Sequence, residues 1–138
     1  MLKNLDHIGI VVEDLDAAVA QYTVVFGFSL HEVTDQRAQG MRIASLRLGE
    51  LVVELMESTS PEGVLAAFRE KRGTGVHHLA YRVSDIHGDL RLLQERGIKA
   101  IDNEPRRGGG GNLIAFLHPK DTGGVLMELC QPERGATP

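Results

Sequence analysis

The chain has 138 residues, 42% hydrophobic and 25% charged, which is the make-up of one folded soluble domain with its own core and excludes a disordered tail or a fibre. Its 15 basic and 19 acidic residues leave a net charge of −4, and no basic run exceeds Arg106-Arg107, so neither a nucleic-acid nor a membrane partner is expected. The single cysteine, Cys130, can form no internal disulfide and no thiolate cage, and the lack of a signal-like or membrane-length apolar run predicts a cytoplasmic location.

Sixteen glycines predict many short elements joined by tight turns. Leu5 to Val12 is apolar and β-branched at nearly every position and reads as a buried strand. Asp14 then caps a helix whose apolar residues Leu15, Ala18, Val19, Tyr22, Val25 and Phe26 recur at helical spacing until Gly27. Strands follow over 28–34, 41–48 and 51–56, the last two joined by Gly49-Glu50, so the order is βαβββ. Ser60-Pro61 predicts the start of a connecting helix carrying Val64, Leu65 and Phe68, closed by Gly73-Thr74-Gly75.

The same order then returns. DHIGIVV from Asp6 matches HHLAYRV from His77, so that His7 falls on His78, Asp14 on Asp85 and Leu15 on Ile86, each 71 positions on. LVVEL from Leu51 matches VLMEL from Val125 and places Glu54 on Glu128, 74 positions on. The second half is expected as a strand over 76–83, a helix over 85–96, and strands near 98–102, 112–118 and 124–131. The fold class that follows is α+β: two βαβββ repeats, about 1–72 and 73–138, paired about a pseudo-twofold into one curved mixed sheet and a single domain.

Strand alternation puts His7 on the face of Gly9 and Val11, and His78 on the face of Ala80, opposite the residues that would meet the helices. A small neighbour two residues from each histidine leaves room above the strand. Glu54 and Glu128 lie inside apolar strands, where an ionised carboxylate is costly unless it is paired or bound to a cation. A lone strand histidine is more often structural, but recurrence of both residue types in both halves shifts the balance. His7, Glu54, His78 and Glu128 are therefore the expected ligands of a divalent ion such as Co, Ni, Mn, Zn or Fe. His77 points to the other face and is expected to be structural or supporting. His31, His87 and His118 have no repeated placement and are expected at the surface or in turns. The basic, glycine-rich stretch Arg106–Gly111 reads as a flexible loop able to meet a phosphate or carboxylate, and lacks the features of a nucleotide P-loop.

LDHIGIVVEDLDAAV, GVHHLAYRVSDI, DNEPRRGGGGNLIAFLHPK and FLHPKDTGGVLMELCQP together resemble the vicinal oxygen chelate superfamily and, within it, the methylmalonyl-CoA epimerase family, over nearly the whole chain. The resemblance implies the vicinal oxygen chelate fold, a homodimer, an acyl-CoA substrate and interconversion of the C2 epimers of methylmalonyl-CoA. It also implies the same four metal ligands, with cobalt favoured, and Glu128 as catalytic base. Some epimerases carry a second base, a glutamate, at the position of Ile43, and isoleucine cannot do that work. The second proton donor is left open among a metal-bound water, Glu54 and another group. Lys120 and the Arg106–Gly111 loop are candidates for holding the CoA moiety. Alternatives on the same scaffold are a lactoylglutathione lyase, an extradiol dioxygenase and a non-catalytic small-molecule binder. The His118-Pro119-Lys120-Asp121 turn argues against the first, a fourth protein ligand against the second, and retention of all four ligands against the third.

Overall fold

Alternating burial along β1 (Asn4–Val12) decides the layout of the first half of the chain in the computed structural model, which describes residues 1–133. Ile10 and Val12 pack on one face with Leu15, Ala44, Leu46, Val53 and Leu55, whereas Val11 packs on the other with Met56 and Leu65. α1 (Leu15–Ala20) covers the first face, and β2 (Ser29–Gln36), β3 (Met41–Leu48) and β4 (Leu51–Ser58) complete the expected βαβββ order. The strands lie in the order β2-β3-β4-β1, with β1 parallel to β4 and the other neighbours antiparallel. A strand covered on both faces needs the near-continuous apolar run that Leu5 to Val12 supplies. The residues His7–His77 form one compact unit, and Met1–Asp6 joins the residues from His78 onward in a second.

Two expectations for this unit need correction. The first helix does not run as one α-helix to Gly27. It is α-helical to Ala20 and then widens into a π turn over Gln21–Val25, where the Thr23 hydroxyl donates to the Val19 carbonyl (2.8 Å). Tyr22 still reaches the core, edge-on to Phe28, but Val25 and Phe26, expected on the packed face, are exposed. The connecting helix, α2 (Val64–Arg72), starts three residues later than Pro61 because the Ser60 hydroxyl accepts the Glu62 N–H in a turn instead of capping a helix. This helix is more than a connector. Its Leu65 and Phe68 cover the face that carries Val11, Met41, Ile43 and Met56.

The second unit repeats the plan with β5 (Gly75–Arg82), α3 (Ile86–Glu95), β6 (Arg106–Arg107), β7 (Leu113–Leu117) and β8 (Met127–Gln131), ordered β5-β8-β7-β6. β5 and β8 are parallel, and the remaining pairs are antiparallel. Val83, Ile86, Leu90, Ala115, Leu117 and Leu129 form its core under α3, joined by Leu2 from the first residues of the chain. The strand expected near 98–102 is reduced to one bridge, Ala100 to Leu117. The cause is Asp102, whose side chain takes the Phe116 N–H (2.9 Å) that a continuing strand would have bonded, so the edge pairing resumes only at Arg106-Arg107. β8 begins at Met127, later than expected, behind Gly123 and Gly124, which both hold positive φ. Gly27 (φ 81°) and Gly97 (φ 88°) end the helical segments of the two halves in the same left-handed way. No helix among the described residues is long and apolar enough to cross a membrane.

Each helix is tied to the last strand of its own half. Asp14 and Asp85 accept the N–H groups of Ala17 and Gly88, both at 3.1 Å. The first N–H of each helix goes further afield, Leu15 to Glu57 of β4 (3.3 Å) and Ile86 to Gln131 of β8 (2.8 Å). Gln131→Ala should therefore lower the unfolding free energy by about 1 kcal/mol, seen as a lower urea midpoint at unchanged m-value. Glu57→Gln keeps the acceptor and should stay within about 0.5 kcal/mol of the parent. A midpoint unmoved by Gln131→Ala would show that this bond adds nothing.

Candidate functional site

In the first unit the pairing register sets Gly9, Glu54 and Ser45 side by side on adjacent strands, all on the face away from α1. Gly9 has no side chain to fill the space beside Glu54, and His7, two residues back on the same face, reaches into it. His7 Nε2 lies 3.4 Å from Glu54 Oε2. The histidine is only 6% exposed, while the glutamate is half-buried.

The second unit builds the same arrangement from different neighbours. Ala80, Glu128 and Phe116 stand in register, as Gly9, Glu54 and Ser45 do in the first unit. His78 Nε2 lies 3.1 Å from Glu128 Oε2, with the two residues 4% and 5% exposed. The Phe116 ring meets the His78 ring edge to face, centroids 5.6 Å apart. A carboxylate this deep in an apolar strand requires a positive or hydrogen-bonding partner, and the imidazole supplies one contact.

The separations also suit a shared cation. Two ligand atoms bonded to one ion at ordinary Zn-like distances stand roughly 3.0–3.4 Å apart, depending on octahedral or tetrahedral geometry. The nitrogen–oxygen distances of 3.4 and 3.1 Å are of that size. Imidazole nitrogen with carboxylate oxygen is a donor set for borderline and hard divalent ions. Each half thus sets an imidazole nitrogen and a carboxylate oxygen at a separation suited to binding one cation.

His77 faces away from His78 and packs edge-on to Phe68, ring centroids 5.0 Å apart. His31, His87 and His118 are exposed, and His118 Nδ1 accepts the Lys120 N–H in the turn over Pro119–Asp121. That turn is further tied by Asp121 to the Lys99 N–H (2.8 Å) and by the Thr122 hydroxyl to the Pro119 and Val125 carbonyls. The motif HPKDTGGV therefore shapes the entry to β8, and Lys120 stands exposed at its tip. Ile43 lies in the apolar corner of Met41, Val11, Met56, Leu65 and Phe68, so no acid or base stands at that position. The stretch expected to be a flexible loop from Arg106 is built into the sheet at Arg106-Arg107 and turns over Gly109–Gly111. Phe116, Ser45 and Asp102 were not singled out from the sequence. Ser45 and Phe116 are themselves 71 positions apart, the spacing of the two histidines, and that repeat could have found them.

The pattern of the Glyoxalase/Bleomycin resistance protein/Dioxygenase superfamily matches residues 6–116. The ethylmalonyl-CoA/methylmalonyl-CoA epimerase of Cereibacter sphaeroides is 35% identical over 133 residues, covering 95% of this chain and 99% of that protein. Among solved structures, methylmalonyl-CoA epimerase from Mycobacterium tuberculosis is 39% identical with a TM-score of 0.90, over 96% of this chain and 89% of that one. A methylmalonyl-CoA epimerase in complex with methylmalonyl-CoA and NH4+ is 36% identical with a TM-score of 0.92, over 100% of both chains. With a superfamily match over most of its length and epimerase relatives along nearly all of it, the chain belongs to the glyoxalase/bleomycin resistance protein/dioxygenase superfamily and, within it, to the methylmalonyl-CoA epimerase family.

Proposed function

We propose that the protein interconverts the C2 epimers of methylmalonyl-CoA by proton transfer at C2, with His7, Glu54, His78 and Glu128 as ligands of one divalent ion. The observation that carries this reading is a buried histidine beside a glutamate, present once in each half at ligand-like separation. Full-length similarity to epimerases supports the substrate. When bound, a divalent ion supplies positive charge to the carboxylate and thioester oxygens of a malonyl thioester and so lowers the cost of charge developing there as C2 loses its proton.

Glu128 is the group we assign to C2 deprotonation. It is a carboxylate in a water-poor setting, between Ala80 and Phe116, neither of which offers a competing proton. Ile43 leaves the second proton transfer of an inversion to a group elsewhere.

Proton NMR of one epimer of methylmalonyl-CoA in D2O, with metal-stripped and then cobalt-reloaded protein, tests the reaction. Deuterium should enter C2 only after reloading; no exchange from folded, cobalt-loaded protein would overturn the substrate assignment. Glu128→Gln should retain the fold and slow exchange by about 10²–10⁴-fold, whereas near-parental exchange would remove it as the base. His7→Ala should lower the metal content measured by elemental analysis, and an unchanged content would sink its assignment as a ligand.

A further inference from the structure

Arg106 and Arg107 are adjacent and both exposed, yet the sheet gives them different surroundings. Arg107 turns to the face of Leu113, where its Nη1 donates to the Gly111 carbonyl (2.6 Å) and lies 3.8 Å from Glu133. Arg106 is paired with Ile114, and alternation along β7 puts it on the face of Phe116, which is also the face of Glu128 and His78. There it is held at two points. Its Nε donates to Asp102 Oδ1 (3.1 Å), and its guanidinium carbon stands over the Phe116 ring, 5.7 Å from the centroid.

Asp102 is itself fixed. Its other carboxylate oxygen accepts the Phe116 N–H (2.9 Å), and its side chain is 17% exposed against 55% for Arg106. An Asp–Arg pair whose arginine is open to solvent contributes little to stability by itself. What this one does is orient: with Nε occupied and one face on the ring, the two terminal nitrogens of Arg106 have no hydrogen-bond partner among the described residues. A guanidinium fork pre-set in this way, one ring removed from a site histidine, matches a carboxylate or phosphate oxygen and forfeits little side-chain entropy on binding it.

We propose that Arg106 binds an anionic group of the acyl-CoA substrate and that Asp102 is its positioning residue. This inference rests on the epimerase reading above and names how the substrate is held. The shared chemistry is an oxyanion, which the malonyl carboxylate and the CoA phosphates both offer.

The test is steady-state kinetics of the cobalt-loaded full chain on methylmalonyl-CoA and on methylmalonyl-pantetheine, which lacks the nucleotide phosphates. Arg106→Gln should raise KM about ten- to hundredfold with kcat within about threefold, since a contact made equally in ground and transition states acts on KM alone. Arg106→Lys should recover part of the loss, Asp102→Asn should move KM the same way by less, and Arg91→Gln, an exposed change on α3, should leave it unchanged. A KM effect on both substrates assigns the carboxylate, and an effect confined to the CoA substrate assigns a phosphate. Unchanged KM on both overturns the proposal while leaving the epimerase reading intact. Calorimetric titration of malonate and of coenzyme A separates the two further. Should the parent protein show no turnover, the epimerase reading fails, and Arg106→Gln must still weaken one of these two ligands about tenfold or the proposal fails as well.

Discussion

A carboxylate placed in the middle of an apolar strand is the constraint on which the rest of this chain depends. Glu128 lies between Met127 and Leu129 and is almost wholly buried. Leaving such a group unpaired would cost several kcal/mol, so the surrounding sequence has to answer it. His78 does so with its ring nitrogen, Ala80 by being small, and Phe116 by bracing the imidazole edge. In the other half Glu54, His7, Gly9 and Ser45 stand in the same register, with a more open carboxylate.

That arrangement explains why each half-sheet has two distinct faces. The helix-side face is plain hydrophobic core, Leu15 with Leu46 and Leu55 in one unit and Ile86 with Leu117 and Leu129 in the other. Burial there supplies the stability that polar groups on the opposite face do not. The opposite faces are dressed differently. In the first unit α2 lays Leu65 and Phe68 beside Val11 and Met56, whereas in the second the wall is aromatic and cationic, Phe116 beneath Arg106. The repeat thus preserves the histidine–glutamate pair and lets its surroundings diverge.

The parts of this design that depend on spacing were legible in the sequence. Alternation in DHIGIVV and HHLAYRV placed both histidines away from the helices, and the repeat selected both glutamates, because side-chain direction in a strand is set by parity alone. The parts that depend on a side chain competing with the backbone were not. Thr23 back-bonds to Val19 in a segment whose apolar pattern still reads as α-helix. Asp102 takes the Phe116 N–H and so cuts a strand that composition alone would continue. Ser60 satisfies Glu62 in a turn although Ser-Pro reads as a helix start. In each case, two of them local and one between distant residues, a side chain takes a bond that the backbone would otherwise make or leave open, and no apolar periodicity reports it.

The ties between helix and strand have an evolutionary consequence. Glu54 and the cap acceptor Glu57 lie three residues apart on β4, and Glu128 and Gln131 lie three apart on β8. An odd spacing sends one side chain to each face of the sheet, so a single strand serves the histidine–glutamate pair on one side and the helix on the other. Gain or loss of one residue inside either interval would invert one of the two and disable both roles together. Selection on both roles should therefore keep length changes out of these two strands, and the E-L-x-E/Q interval is the stretch in which a genome comparison should find no gaps.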